Sequence, residues 1–257
     1  MRRFEDKVVV VTGASSGIGA AAARRIGAEG GRVVLAARDE ERLAAVAADI
    51  AQSGSEALIV PCDVDDPGHA QHIVDLATAR FGGVDLAFDN VGAMSELGPV
   101  EGLSLDGWER AIRTNLTSAF LAARAQVPAM RARGGGSIVF TGTFVGQTAA
   151  LPGMAAYTAA KAGLLALART LAMECAPAGI RVNVLVPGGV ETPMGAPFVG
   201  TPEARAAIER LHGLGRIAQP EEVAAAALFL LSGDASFVTG ATLFADGGAS
   251  VHRSMGA

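Results

Sequence analysis

Lys7-Val8-Val9-Val10-Val11-Thr12-Gly13-Ala14-Ser15-Ser16-Gly17-Ile18-Gly19 runs directly into Ala20-Ala21-Ala22-Ala23 near the start of the chain. Four consecutive valines are β-branched and uniformly apolar, which suits a strand covered on both faces. The alanines that follow favour a helix. The stretch therefore reads as a strand over 7–11, a glycine turn, and a helix over 17–29. Glycine tolerates positive φ and lets main-chain N–H groups come close to a ligand, while the positive end of a helix favours a pyrophosphate. Its position right after the first strand makes this a dinucleotide-binding turn, with Gly13, Ser15, Ser16, Gly17, Ile18 and Gly19 as the candidate contacts.

The same alternation continues to the end of the chain. Further apolar runs at 32–36, 57–61, 84–88, 137–141, 181–186 and 241–245 read as strands. Helical stretches at 39–52, 67–81, 104–132, 155–177 and 220–232 lie between them, several opened by signals such as Asp66-Pro67 and Gln219-Pro220. Continuous apolar strands separated by crossover helices imply an α/β fold: a doubly wound, Rossmann-like parallel sheet of about seven strands with helices on both faces. Ligands of such sheets bind at the carboxyl ends of the strands. No linker or charge block divides the 257 residues, so the expectation is a single dinucleotide-binding domain over 1–257.

Composition narrows the function. The net charge of −5 argues against nucleic acid or an anionic membrane surface as partner, because both call for basic patches. Cys62 and Cys175, and His69, His72, His212 and His252, lack metal-ligand spacing, so no metal is expected. Residues 1–7 lack an apolar signal segment, and the uncharged run over 134–160 is broken by Gly, Pro and Thr. A cytoplasmic location is the expectation.

Chemistry is suggested by Tyr157 and Lys161. Tyr157 is the sole tyrosine, and Lys161 is one of two lysines among 21 basic residues, in a chain that otherwise uses arginine. Lysine offers a compact ammonium with rotatable donors where a guanidinium fork would not fit. Four residues apart on a helix, the two side chains share a face. On their own they could equally be a half-buried aromatic and a solvated cation. The second strand ends at Ala37-Arg38-Asp39, and Ala37 stands where an NAD site often carries an acid for the adenosine ribose. Arg38 would suit a ribose 2′-phosphate, which favours NADP, with NAD possible through Asp39. Arg38 could also be a surface residue and Asp39 a helix cap.

These segments, with Asp89-Asn90-Val91-Gly92, Asn115, Tyr157-Thr158-Ala159-Ala160-Lys161 and Pro187-Gly188-Gly189-Val190-Glu191-Thr192, resemble the short-chain dehydrogenase/reductase family over nearly the whole chain. The resemblance implies an NADP(H)-dependent oxidoreductase that passes a hydride between nicotinamide and a ketone or secondary alcohol. Tyr157 would be the general acid/base. Lys161 would favour its phenolate and bond the nicotinamide ribose, and Asn115 would hold a relay water. Asp63 and Val64 would flank the adenine, Asn90 and Gly92 would support the crevice, and Pro187, Gly188, Val190 and Thr192 would surround the nicotinamide. The family usually places a serine thirteen residues before the tyrosine, but here Phe144 stands there. Thr143, read as lying at the end of strand five after one extra loop residue, is the expected replacement, with Thr141 next.

The segment over 191–219 is too long for an ordinary connection and is expected to form a substrate lid with a short helix from Pro202. Met94, Val145, Met154, Met194 and Phe198 could line an apolar pocket or pack the core. The tail through Asp246-Gly247-Gly248 resembles the family's subunit-contact region, which implies a homotetramer or homodimer. Two other functions fit the same residues: a non-catalytic dinucleotide-binding regulator, and a lyase or epimerase on the same fold.

Overall fold

The computed structural model describes residues 2–94 and 96–252. Seven strands form one parallel sheet: β1 Val8–Thr12, β2 Arg32–Ala37, β3 Ala57–Pro61, β4 Leu86–Asp89, β5 Gly136–Thr141, β6 Ile180–Pro187 and β7 Thr242–Ala245. Their order is β3-β2-β1-β4-β5-β6-β7, so the winding direction reverses between β1 and β4. The strand residues alternate between two apolar layers. Val8 and Val10 face the layer of α3 (His69–Phe81), α5 (Ser118–Ala132) and α6 (Ala155–Cys175), while Val9 and Val11 face that of α1 (Gly17–Ala28), α2 (Glu40–Gln52) and α8 (Pro220–Leu231). All four valines are fully buried, each contributing about 1.5–3 kcal/mol of hydrophobic stabilisation.

Two elements differ from the sequence reading. The fourth strand runs over Leu86–Asp89 rather than 84–88, and just before it Asp85 is tied to the start of β1, its N–H donating to the Val8 carbonyl at 2.9 Å and its carboxylate accepting the Val8 N–H at 2.8 Å while pairing with Arg133. The helix expected over 104–132 is divided into α4 (Leu105–Ile112), a π-helical turn over Arg113–Thr117, and α5. That turn carries Asn115, in keeping with the concentration of π-bulges at functional sites.

After β6 the chain leaves the sheet at Gly189 and returns at Ala218. The neck is closed by Ala218 N–H donating to the Gly189 carbonyl at 3.0 Å and Glu191 N–H donating to the Ala218 carbonyl at 2.9 Å. Between these points lies α7 (Pro202–Glu209), capped by Thr201 and tied back by the Arg205–Glu191 ion pair at 2.6 Å. Among the described residues, no helix is long and apolar enough to cross a membrane, and no group of three or more His, Cys, Asp and Glu could hold a metal ion.

Candidate active site

The carboxyl ends of β1, β4, β5 and β6 open into a crevice of about 650 Å³. The turn after β1 forms one wall. Gly13 and Gly17 have φ of 66° and 53°, a region that disfavours other residues. A Cβ on Gly17 would lie 2.8 Å from Thr192 Cγ2, so the turn after β6 presses directly on the turn after β1. Ser15, Ser16 and Ile18 line the crevice beside them. Gly19 does not. It is buried behind the turn, where a side chain would collide with the Gly13 carbonyl, and so it sets the approach of α1 to the loop. The N-terminus of α1 has no side-chain cap and no acidic residue in its first turn, whereas α2, α4 and α7 are capped by Asp39, Ser104 and Thr201. Its first N–H groups thus remain available to an anion.

The far end of the crevice is lined by Ala37, Arg38, Asp39, Arg42, Asp63 and Val64. The Asp39 carboxylate is already engaged, accepting the Arg42 N–H at 3.0 Å and pairing with the Arg42 guanidinium at 3.1 Å. Arg38 is exposed and makes no hydrogen bond or ion pair among the described residues. Asp63 accepts the N–H of Asp65 at 3.0 Å, which shapes the turn beneath that end.

Tyr157 and Lys161 lie one turn apart on α6, both buried and both lining the crevice. Lys161 Nζ donates to the carbonyls of Val91 at 3.0 Å and Thr141 at 2.9 Å, which leaves one of its three donors over. Gly92 makes room for it, since a Cβ there would stand 3.1 Å from Nζ. Burial without a compensating anion brings the ammonium down to about 8, and burial pushes the Tyr157 phenol up to about 12. The phenol shift is opposite to the expectation that the lysine lowers it. Desolvation is the larger effect, partly offset by a hydrogen bond with Thr143.

The two threonine candidates differ in what surrounds their hydroxyls. Thr141 is occupied, its hydroxyl donating to Asn90 Oδ1 at 3.0 Å and its carbonyl holding Lys161. Thr143, buried and two residues beyond the end of β5 rather than at it, accepts the Val145 N–H at 3.3 Å and stands beside the phenol. Asn90 ties the strand ends together through Thr12 and Thr141. The Asn115 amide is committed to the main chain: Nδ2 donates to Ala93 and Ala111, both at 3.0 Å, and Oδ1 accepts the Ala93 N–H at 3.1 Å. Its side chain has no donor to spare for a relay water. Pro187, Gly188, Val190 and Thr192 line the remaining wall, with Met94, Val145, Met154, Met194 and Phe198 on the apolar side.

Residues 13–250 match the family model described as enoyl-(acyl carrier protein) reductase. The chain is 42% identical over 250 residues to 3beta-hydroxysteroid dehydrogenase 1 of Eggerthella lenta, covering 97% of this chain and 95% of that one. It is 38% identical to the cyclohexanol dehydrogenase of Acinetobacter sp., covering 95% of each. A crystal structure of a short-chain type dehydrogenase/reductase from Mycobacterium marinum superposes with a TM-score of 0.91 at 34% identity, covering 97% of both chains. The chain belongs to the short-chain dehydrogenase/reductase family. As a short-chain dehydrogenase/reductase it is an oxidoreductase of alcohols and ketones that uses a nicotinamide cofactor. The glycine cradle, the uncapped helix end and the spare lysine donor all fit such a group.

Among the lining residues of this short-chain dehydrogenase/reductase that escaped the sequence reading are Arg42 and His212. Arg42 could have been found from its spacing of four from Arg38 at the start of a helix. His212 carried no local signal, because Gly189, which donates to its Nε2, lies 23 residues away.

Proposed function

We propose that the chain is an NADP(H)-dependent oxidoreductase that interconverts an uncharged ketone and a secondary alcohol, with Tyr157 giving and taking the proton. The observation that carries this reading is the convergence of the Tyr157 hydroxyl, the Thr143 hydroxyl and the Lys161 ammonium in one buried part of the crevice. The nicotinamide cofactor, when bound, supplies or accepts the hydride. Tyr157 Oη holds the proton that the carbonyl oxygen needs as the alcohol forms. An ordinary phenol already holds its proton at neutral pH, and burial in the nucleotide-free protein makes Tyr157 a weaker donor, so the positive charge of Lys161 is what must favour the phenolate as the proton leaves. Thr143 offers a second hydroxyl to the developing negative charge, and Lys161 contributes positive charge and a free donor. Asn115 acts by fixing Ala93 and the loop that carries Gly92.

Three features support NADP. Ala37 brings no carboxylate, Asp39 is already neutralised by Arg42, and Arg38 is unpartnered at the same end. NAD is then the weaker coenzyme. The apolar lining by Met94, Val145, Met154 and Phe198 and the relatives named for a hydroxysteroid and for cyclohexanol support a cyclic, uncharged substrate. The segment over 191–219 serves as a lid. A homotetramer or homodimer is part of the proposal, supported by two separate sets of exposed large apolar side chains: Leu105, Trp108 and Phe120 on α4 and α5, and Phe229, Phe237 and Phe244 around α8 and β7. So is a cytoplasmic location, supported by Cys62 and Cys175 being free.

The test follows reduced-nicotinamide absorbance with a panel of cyclic and open-chain ketones, using NADPH and NADH in parallel. The expected result is consumption of NADPH with cyclic ketones, slower with NADH. Binding without consumption on any ketone would point to a regulator, and product without net NADPH loss to a lyase or epimerase.

A further inference from the structure

His212 stands in the middle of the segment that leaves the sheet after β6, yet it is 4% exposed. Both ring nitrogens are used. Nε2 accepts the Gly189 N–H at 2.8 Å, and Nδ1 faces the Ile208 carbonyl at 2.9 Å. A main-chain N–H can only donate and a carbonyl can only accept, so the ring is the neutral tautomer protonated on Nδ1. The imidazole also meets the Phe144 ring at a centroid distance of 6.3 Å. The two glycines before Val190 make its seat. A Cβ on Gly188 would lie 2.7 Å from Nε2, and one on Gly189 would lie 3.0 Å from Cε1.

One ring therefore joins three parts of the crevice wall. Ile208 belongs to α7 in the lid, Gly189 to the turn leading to Val190 and Thr192, and Phe144 follows Thr143. We propose that His212 is a positioning residue that fastens the lid to the turn after β6 and to the loop after Thr143, keeping the substrate end of the crevice in register with Tyr157. Its influence on turnover rests on the oxidoreductase reading; its hold on the lid does not. Neck hydrogen bonds at Gly189 and Ala218 close the base of the segment, the Leu214 N–H donates to the Gly247 carbonyl at 3.0 Å, and the Arg205–Glu191 pair is half-exposed, while the imidazole fastening is buried.

Two substitutions divide its bonds. His212→Gln keeps an acceptor three bonds from Cβ, where Nε2 now receives Gly189. His212→Asn keeps a donor two bonds from Cβ, where Nδ1 now serves Ile208. His212→Phe keeps the ring and loses both. Leaving the Gly189 N–H without an acceptor should lower kcat/KM for the ketone about 10- to 100-fold, mainly through KM. The Asn and Phe variants should show that loss, and the Gln variant should stay within about threefold of the parent.

Amide hydrogen exchange over 187–192 and 205–215 should quicken in Asn and Phe and stay unchanged in Gln. Binding of 2′,5′-ADP, which reports only the adenosine end, should be the same in all three. The proposal is overturned if Asn behaves like Gln, if exchange in those segments is unchanged in Phe, or if 2′,5′-ADP binding falls with the kinetics in all variants. Absence of turnover in the parent protein would sink the oxidoreductase reading alone, because exchange still decides whether His212 holds the lid.

Discussion

Asp89→Asn should make this protein more stable at alkaline than at acid pH relative to the parent, and the size of the effect follows from an imperfect buried pair. Asp89 closes β4 with its side chain sealed from water. Its Oδ1 accepts from Gln126 Nε2 at 3.0 Å, while its Oδ2 and the Gln126 Oε1 are buried acceptors with no donor. A proton on Oδ2 converts one unmatched acceptor into a donor. Burial accordingly pushes the Asp89 carboxyl up to about 7, against the lowering by the Gln126 bond.

A carboxyl whose folded value is raised contributes stability that is complete below its unfolded value near 3.8 and is lost as pH rises through about 7. The full displacement corresponds to roughly 4 kcal/mol, of which roughly 2.5 kcal/mol falls between pH ~5 and ~8. Asparagine keeps the shape, carries a donor of its own and does not titrate. Urea unfolding of the nucleotide-free parent and variant at several pH values gives the difference directly, and every other titrating group cancels. The gap should widen in favour of the asparagine variant by roughly 2–3 kcal/mol from pH ~5 to ~8. A gap that does not change with pH would refute the neutral-acid account of this pair.

Tyr157 is the sole tyrosine, so tyrosinate absorbance titrates it alone. In the nucleotide-free protein the midpoint should lie near 12, above an ordinary phenol, and a midpoint below that of a free phenol would mean that Lys161 outweighs burial. Thr143→Val removes the hydroxyl beside the phenol and should lower kcat/KM about 100-fold, with Thr143→Ser recovering most of it; full activity in the valine variant would remove Thr143 from the chemistry.

The sheet was legible because its signals are local. Strands such as Val8–Thr12 are continuous apolar runs, and the turn at Gly13 and Gly17 needs backbone angles that glycine supplies. The crevice residues were legible for the same reason: strand ends and the turns after them converge in a doubly wound sheet. The π-turn at Arg113–Thr117 was not, because its composition continues the helix and the extra residue is taken up by how Asn115 meets Ala93 and Ala111. Contacts between distant segments were also hidden. Asp89 and Gln126 lie 37 residues apart, His212 and Gly189 lie 23 apart, and nothing in the intervening sequence marks either pair. The direction of the Tyr157 shift depends on how deeply the phenol is buried, which spacing alone does not reveal.

Everything proposed about the chemistry rests on the Tyr157 hydroxyl carrying the proton. Single-turnover reduction of a cyclic ketone by Tyr157→Phe loaded with NADPH tests this most directly, with NADPH affinity measured on the same sample. The account predicts a rate lower by about 1,000-fold or more with affinity within a few-fold of the parent. A Tyr157→Phe protein that reduces the ketone at the parent rate would contradict it.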